Sequence, residues 1–407
     1  MKILFFSQYF WPEYFPINHV AQKLSQSKHK VDVFTGKPNY PFGKFFKGYK
    51  TYGLENEKWG RINIFRVPIS SRGQNSYISL SINYLSFILS AFLFSPFVLR
   101  KRRYDCIIVY GLSPIFQVLP AIFISKLKKV PIILWVQDLW PESLEHTGLL
   151  KIKFFRKIIE YLVKLSYSGV DLILVQSKGF IKPVSNYSKS KKILYLPNTV
   201  DEIFYPSHKN TATIPKVDAL SKGFSVLFAG NLGSAQGLGC ILDAAEKLLK
   251  YREIRFVFLG EGRLKEFLRE EKIKRKLTNV YIEGSYPINL MPGILSQASS
   301  LLVSLTNHPI INLTIPGKLQ AYLASGKPII GCISGEAAKI IKASNSGFIC
   351  EPGDSYNLAK IVLDLYSTSS KDRKKMGISG QAYFKSNFSS DIVVDQMIKY
   401  INSIETK

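Results

Sequence analysis

The sequence is poor in side chains that bind metal ions or form disulfides. Its 407 residues include four cysteines without C-x-x-C spacing and five histidines that lie far apart. This spacing predicts neither a zinc site nor a disulfide framework, so we expect the cysteines to be core residues in a reducing compartment. The sequence also lacks a D-x-D carboxylate pair, and we expect no metal site and no cofactor.

Acidic residues are also scarce, with 29 Asp and Glu against 55 Lys and Arg, for a net charge of +26. The excess is concentrated in residues 1–200, whose net charge is +19, against +7 for residues 201–407. Such a surface suits a polyanion, which could be nucleic acid, an anionic membrane leaflet or a phosphorylated substrate. No nucleic-acid-binding motif accompanies the charge, so nucleic acid is not an expected partner.

A secretion signal is not expected either. The opening MKILFFSQYFWP has a short apolar run that Gln8 interrupts, and it lacks a small-residue cleavage site. We interpret it as a first buried strand and expect a cytoplasmic protein.

Short hydrophobic runs alternate with segments of helix length through both halves of the chain. This alternation is typical of parallel sheets covered by helices, and it predicts an α/β fold of two doubly wound, Rossmann-like domains. We expect an N-terminal domain over residues 1–199, a C-terminal domain over 200–385 and a closing helix over 386–407. The predicted strands are KILFFSQ, KVDVFTG, DCIIVYG, PIILWVQD, DLILVQS, KILYLPN, FSVLFAG, IRFVFLG, NVYIEG, SLLVSL, KPIIGC and GFICEP.

One segment departs from this alternation. Residues 78–99 are almost uncharged, are long enough to span a membrane and are followed by the basic run RKRR. A polar stripe of Ser79, Asn83, Ser86 and Ser90 and the helix-breaking Pro96 argue against a simple span. A transmembrane helix, a buried helix and a helix in the membrane interface all remain open. The basic, aromatic segment Lys151–Leu165 suits either an anionic bilayer surface or a solvated helix face.

A glycine-rich turn follows the strand that begins at Phe224. Strand, glycine-rich turn and helix in this order present backbone N–H groups and the positive end of a helix dipole to a phosphate. The turn, GNLGSAQG, fits neither the P-loop nor the dinucleotide-binding pattern. A tight turn without a ligand is the alternative.

A series of motifs runs along the whole chain. They are YFWPE, TGKPNYPFG, WVQDLWPES, LPNTVD, FAGNLGSAQGL, VFLGEGRLKEFL, GSYPINLMPGILSQASSLLVSL, TIPGKLQAYLASGKPII and SGFICEPGD. In this order and spacing they resemble family 4 glycosyltransferases with a GT-B fold. The resemblance implies two domains that face each other across a cleft, with a closing C-terminal helix. It is greatest to the subgroup of O-antigen and capsule clusters that transfers deoxy-amino sugars such as N-acetyl-fucosamine.

The resemblance implies that the C-terminal domain binds a UDP-sugar, with the diphosphate held by the glycine-rich turn. Where the family has a basic pair in this turn, Asn231 and Gln236 add no charge, so Lys318 at the next helix start is the candidate catalytic cation. The family's glutamate pair is replaced by Leu313 and Ala321, and Glu336 could take over the ribose contact or be an ordinary glutamate at a helix start. Tyr286 could stack on the base or pack in the core. The donor-binding set is Gly230, Asn231, Leu232, Gln236, Gly260, Tyr286, Pro316, Gly317 and Glu336.

For the N-terminal domain the resemblance implies an acceptor site. Asp138 follows a buried strand and could orient or deprotonate the acceptor hydroxyl, or it could simply cap the next helix. Pro16 and Asn18 stand where relatives carry a glycine pair, and Asn39 lies in the loop after the second strand.

The expected activity is retaining transfer of a sugar to a lipid-diphosphate-linked saccharide in O-antigen, capsule or lipopolysaccharide synthesis. The partners are then a nucleotide-sugar donor, the lipid-linked acceptor and the anionic inner face of the cytoplasmic membrane, to which the protein would bind peripherally. A sugar-nucleotide 2-epimerase of the same architecture is the alternative.

Overall fold

The computed structural model describes residues 1–73, 77–147, 153–188, 191–205 and 213–404. The chain forms two compact units, one of Met1–Thr199 with Ser390–Lys407 and one of Val200–Ser389. Lys151, at the start of the basic segment, lies outside the described residues.

The N-terminal unit is built on an eight-stranded sheet in the order β3-β4-β2-β1-β5-β6-β7-β8. Among the described strands of this sheet, β3 alone is antiparallel to its neighbour, because the chain turns back tightly between β3 and β4. The strands are β1 (Lys2–Phe6), β2 (Lys30–Gly36), β3 (Glu55–Trp59), β4 (Ile62–Val67), β5 (Cys106–Gly111), β6 (Ile132–Val136), β7 (Leu172–Val175) and β8 (Ile193–Tyr195). The helices are α1 (Pro16–Gln26), α2 (Tyr77–Val98), α3 (Val118–Lys128), α4 (Lys153–Ser168) and α5 (Ile181–Ser188).

The C-terminal unit has a six-stranded, wholly parallel sheet in the order β11-β10-β9-β12-β13-β14. The strands are β9 (Phe224–Ala229), β10 (Ile254–Leu259), β11 (Val280–Glu283), β12 (Ser300–Ser304), β13 (Ile329–Cys332) and β14 (Gly347–Cys350). The helices are α6 (Asp218–Ser221), α7 (Leu238–Lys247), α8 (Lys265–Lys274), α9 (Met291–Gln297), α10 (Pro309–Asn312), α11 (Gly317–Ser325), α12 (Gly335–Ala343), α13 (Ser355–Ser367) and α14 (Ser370–Asn387). The prediction of two doubly wound α/β units is confirmed.

The last helix, α15 (Ser390–Asn402), returns to the N-terminal unit. It packs on α1, and its side chains Val393, Val394 and Met397 join the hydrophobic core there. An ion pair between Lys23 and Asp391, 2.7 Å long, adds to this contact. The expected helix over 386–407 is therefore shorter, since α14 runs through residues 386 and 387.

Helix α2 corrects one expectation, because it continues through Pro96 to Val98. A proline in a helix removes one hydrogen bond and crowds the preceding turn. Here Pro96 lies in the last turn, so only the end of the helix is affected. Just beyond that end, the Nζ of Lys128 donates to the carbonyl oxygens of Leu99 at 2.8 Å and Arg102 at 2.7 Å.

Candidate active site

A cavity of about 300 Å³, the β9–β10 pocket, lies in the C-terminal unit where strands β9 and β10 end. Its lining includes Gly230, Gly260, Tyr286 and Lys318. The direction of strand winding reverses between β9 and β12. In open parallel sheets, ligands bind outside the carboxyl ends of the strands at such a reversal. The pocket is therefore the candidate ligand site of this unit.

Lys318, on the first turn of α11, reaches from that helix to the turn after β9. Its Nζ donates to Oε1 of Gln236 at 2.7 Å and lies 3.7 Å from the centre of the Phe228 ring. Burial lowers the pKa of Lys318 to about 7. An anion beside Nζ would raise this pKa again, because an opposite charge favours the protonated amine.

Helix α11 begins directly beside this lysine. Pro316 is its N-cap residue and forms no side-chain capping bond, while Gly317 is exposed. The first N–H groups of a helix have no partner within the helix, and they form the positive end of its dipole. Pro316, Gly317 and Lys318 thus bring a helix N-terminus and a primary amine to one place.

Gly230 and Gly260 allow the loops after β9 and β10 to approach each other closely. Gly230 and Gly260 have φ angles of 141° and 146°, in the region that favours glycine. A Cβ on Gly260 would lie 1.9 Å from the carbonyl oxygen of Gly230, so only glycine permits this approach. The N–H of Gly230 also donates to the carbonyl of Leu259 at 2.9 Å.

Other residues of the predicted donor set serve the turn itself. Leu232 is fully buried, and its N–H donates to the carbonyl of Glu261 at 2.8 Å. Asn231 is exposed beside Gly233, and neither Asn231 nor Leu232 lines the β9–β10 pocket. Gln236 reaches the site through its bond to Lys318.

The carboxylate that lines the pocket is not the one that we expected. Glu336, on α12, pairs with Lys339 at 2.6 Å and does not line the pocket. Glu261 and Ala321 do line it, and Oε1 of Glu261 accepts from Lys265 at 2.7 Å. Glu261 directly follows Gly260, the first residue after β10, and this position is the sequence signal that could have identified it.

In the N-terminal unit, Asp138 lies just beyond the end of β6. Its Oδ2 accepts hydrogen bonds from the N–H of Ser113 at 2.9 Å and from Oγ of Ser113 at 2.8 Å. Trp140 donates to the same Oγ at 3.1 Å. Burial raises the pKa of Asp138, and the bonds from Ser113 oppose the rise. Asp138 thus joins the loops after β5 and β6, close to where the strand order of this sheet reverses.

The predicted acceptor residues Asn18 and Asn39 are buried and bonded within the loops. Nδ2 of Asn18 donates to the carbonyl of Glu13 at 2.6 Å. The N–H of Asn39 donates to Oε1 of Glu13 at 2.7 Å, and burial raises the pKa of Glu13 to about 7. Pro16 is the first residue of α1. Asn18 and Asn39 thus help to fix the shape of the loops after β1 and β2.

Arg72 is a cation of the N-terminal unit that was not among the candidates from the sequence. The Nη1 of Arg72 donates to Oη of Tyr9 at 3.1 Å, and the guanidinium lies 5.3 Å from the centre of the Tyr40 ring. Burial raises the pKa of Tyr84, Arg72 counters the rise, and the charge of Asp138 adds to it. The charges of Arg72 and Asp138 therefore both act on the hydroxyl of Tyr84. No local motif marks Arg72, because its partners are remote in sequence.

Across the described ranges, His, Cys, Asp and Glu side chains form no group of three or more that could hold a metal ion.

Comparison with known proteins adds to this geometry. Residues 223–368 match the family of glycosyl transferases group 1. WbjE of Pseudomonas aeruginosa, named as a glycosyltransferase, is 24% identical over 77% of this chain and 78% of its own length. WcaI of Escherichia coli K12, named as a colanic acid biosynthesis glycosyl transferase, is 24% identical over 80% of this chain and 82% of its own.

The fold has counterparts among solved structures. A trehalose-6-phosphate structure from E. coli, bound with UDP-2-fluoro glucose, covers 100% of both chains with a TM-score of 0.74 and 14% identity. The architecture is the GT-B fold, and the protein is a glycosyltransferase. Its residues 223–368 form a glycosyl transferases group 1 domain.

Proposed function

We propose that the protein transfers a sugar, with retention, from a UDP donor to a lipid-diphosphate-linked saccharide during surface polysaccharide synthesis. The observation that carries the proposal is the position of Lys318, whose Nζ faces the glycine turn of the β9–β10 pocket beside the start of α11. N-acetyl-fucosamine or another deoxy-amino sugar is the proposed sugar. The proposed polysaccharide role is supported by the similarity to WcaI, which is named for colanic acid biosynthesis.

The chemistry of transfer suits these groups. When the bond between the anomeric carbon and the diphosphate breaks, negative charge grows on the departing phosphates. A helix N-terminus and an amine aimed at those oxygens stabilise the transition state more than the bound donor, and this difference accelerates the reaction. Tyr286 lines the same pocket and offers a ring for the base, while Glu261 offers a carboxylate to the ribose hydroxyls.

The N-terminal unit supplies the acceptor chemistry in this proposal. Asp138 would orient or deprotonate the acceptor hydroxyl, and its raised pKa makes it a stronger base than an ordinary aspartate. The guanidinium of Arg72, close to Tyr84, would contact the diphosphate of the lipid-linked acceptor.

In a direct test, the protein is incubated with a panel of UDP-sugars and with membranes that contain lipid-linked acceptors, and UDP release is measured. UDP release that requires both the membranes and one particular UDP-sugar supports the proposal. Conversion of a UDP-sugar to its epimer, without transfer to a lipid, would instead establish an epimerase.

UDP affinity should decrease as pH rises above neutrality. Lys318 has a pKa of about 7, so above pH 7 it is mostly neutral before UDP binds and must take up a proton when the diphosphate arrives. The association constant should fall by about tenfold per pH unit between pH 7.5 and 8.5. Calorimetry in buffers of different ionisation enthalpy should show proton uptake.

The variant Lys318→Arg provides the control, because arginine stays charged over this range. The phosphates of UDP are already ionised there, since a phosphate monoester has its second pKa at about 6. A pH dependence that persists in Lys318→Arg would assign the titration to another group.

Transfer should not need a divalent metal ion. The charge that Mg²⁺ or Mn²⁺ would supply to the leaving diphosphate is assigned here to Lys318 and α11. Turnover measured with EDTA should equal turnover without it. Loss of activity with EDTA that Mg²⁺ or Mn²⁺ restores would contradict this mechanism.

A further inference from the structure

Helix α2 packs on its unit partly through polar side chains, those of Asn83, Ser86 and Ser90, which lie beside the buried apolar residues Phe87 and Ala91. Asn83 is fully buried; it accepts from Nε2 of Gln8 at 2.7 Å and donates to the carbonyl of Ser70 at 2.6 Å. Ser86 accepts from the N–H of Ser70 at 2.9 Å, and Ser90 donates to the carbonyl of Pro68 at 2.6 Å. The polar stripe of the sequence is therefore the side that attaches α2 to its unit.

The opposite side of α2 is apolar and exposed. Its side chains recur every three or four residues and so form one continuous stripe along the helix. Leu89 and Phe97 are 68% and 73% exposed. Only 22% of the most apolar stretch of the helix is buried. The exposed members are Ile78, Ile82, Leu85, Leu89, Phe92, Leu93 and Phe97.

Neighbouring helices extend this apolar stripe. Phe123 of α3 is exposed and packs against Phe92, with ring centres 6.2 Å apart. Helices α2 and α4 both contact the short turn Ile115–Gln117. We call the exposed apolar side chains of these three helices the α2–α4 surface. Its members beyond α2 are Phe123, Leu127, Phe154, Phe155, Ile158, Tyr161 and Leu165. Large exposed apolar areas mark interaction sites.

The charges around the α2–α4 surface are almost all positive. Between Tyr77 and Lys129 the sequence has seven basic residues and one acidic residue, Asp105. Helix α4 carries exposed cations among its aromatic side chains, which are Lys153, Arg156, Lys157 and Lys164. Beyond the end of α2, Lys101, Arg102 and Arg103 line a cavity of about 720 Å³ with four further cations, Lys2, Lys30, Lys58 and Arg61.

We propose that the α2–α4 surface is immersed in the interface of an anionic phospholipid bilayer, with α2 parallel to the membrane plane. Apolar side chains flanked by lysine and arginine match the acyl boundary and the anionic headgroups of such a leaflet. A second copy of the chain would bring two sets of like charges together.

Helix α2 does not span the bilayer in this arrangement. Crossing it would detach the helix from its unit, break the bonds of Asn83, Ser86 and Ser90, and place these polar groups in hydrocarbon. The same hydrogen bonds connect the α2–α4 surface to loops of the N-terminal unit. Through Gln8 and Ser70, Asn83 connects the membrane-bound helix to the segments that carry Tyr9 and Arg72.

Vesicle co-sedimentation tests the proposal with the full chain. Vesicles of phosphatidylcholine with phosphatidylglycerol should bind the protein at least tenfold better than phosphatidylcholine alone, and 1 M salt should weaken the binding. The triple variant Leu85→Gln, Leu89→Gln, Leu93→Gln should reduce binding at least tenfold. Its thermal stability should be unchanged, because these side chains are exposed.

Two further variants make the test specific. The matched control Ile273→Gln, Tyr356→Gln, Ile378→Gln changes exposed side chains of the C-terminal unit and should bind vesicles normally. The variant Arg100→Gln, Lys101→Gln, Arg103→Gln should bind anionic vesicles at least tenfold less. It retains Arg102, which pairs with Asp32 at 3.0 Å.

Three outcomes would overturn the proposal. Binding that survives alkaline carbonate extraction and ignores the charge variant would mean a spanning helix. A dimer in solution that the leucine variant converts to monomer would mean that a second copy covers the surface. A monomer that binds neither kind of vesicle would mean that the surface has no membrane role. UDP affinity, measured in parallel, reports on the C-terminal unit and keeps these outcomes separate from failure of the donor proposal.

Discussion

Replacing Lys318 by alanine should lower turnover by a hundredfold to a thousandfold, the loss typical when one preorganised electrostatic contact to a developing charge is removed. The amine lies over the Phe228 ring and donates to Gln236, and these two contacts hold it in position. Because the contact strengthens as the diphosphate departs, kcat should fall with kcat/KM. Steady-state kinetics with the identified UDP-sugar measures both.

Lys339→Ala is the matched control for this prediction. Lys339 lies on α12 of the same unit, is exposed and pairs with Glu336 at 2.6 Å, so its loss should leave turnover within twofold. Lys318→Arg should retain more activity than Lys318→Ala, because it restores a positive charge. A Lys318→Ala enzyme with ordinary kcat/KM would remove this residue from the site.

Replacing Asp138 by asparagine should reduce transfer to the acceptor by about a hundredfold, at the lower end of what a positioned general base contributes. Asparagine keeps the size of the side chain and can still accept from Ser113, but it cannot take a proton. The dissociation constant for UDP should not change, since the donor contacts are in the C-terminal unit. Turnover with saturating acceptor and calorimetry with UDP measure the two effects.

Ser113→Ala separates chemistry from loop structure. It removes the hydroxyl that donates to Asp138 at 2.8 Å but leaves the carboxylate and the backbone bond in place. If Asp138 only joins the loops after β5 and β6, Ser113→Ala and Asp138→Asn should lower turnover by similar amounts. If Asp138 acts on the acceptor, only Asp138→Asn should show the large loss.

The central strands could be predicted because each is a short apolar run with buried side chains on both faces. All twelve predicted strands are confirmed. Within the described residues the structure has two further strands, β3 and β4, that were not predicted. Strand β3, with the sequence ENEKW, is half exposed at the sheet edge and carries charged side chains. An edge strand of this kind has no apolar run to mark it.

The orientation of α2 could not be predicted from its sequence. The sequence shows the polar stripe of α2, but on an otherwise apolar helix it does not show whether that stripe faces water or the protein. The partners of Asn83 include Gln8 and Ser70, and the first of these is 75 residues away in the chain. Lys318 was identifiable because it stands at a helix start, while its bond to Gln236 spans 82 residues and needed the structure.

The return of α15 to the N-terminal unit sets an order of events on the ribosome. The unit Val200–Ser389 is contiguous in sequence and can close its core as soon as α14 has emerged. The core around α1 lacks Val393, Val394 and Met397 until these residues are made. At about 5–20 residues per second, roughly 10 to 40 s pass between the synthesis of Thr199 and that of Met397. During that time the apolar face of α1 is open to chaperones and to neighbouring nascent chains, although most of the N-terminal unit precedes the C-terminal unit in the sequence.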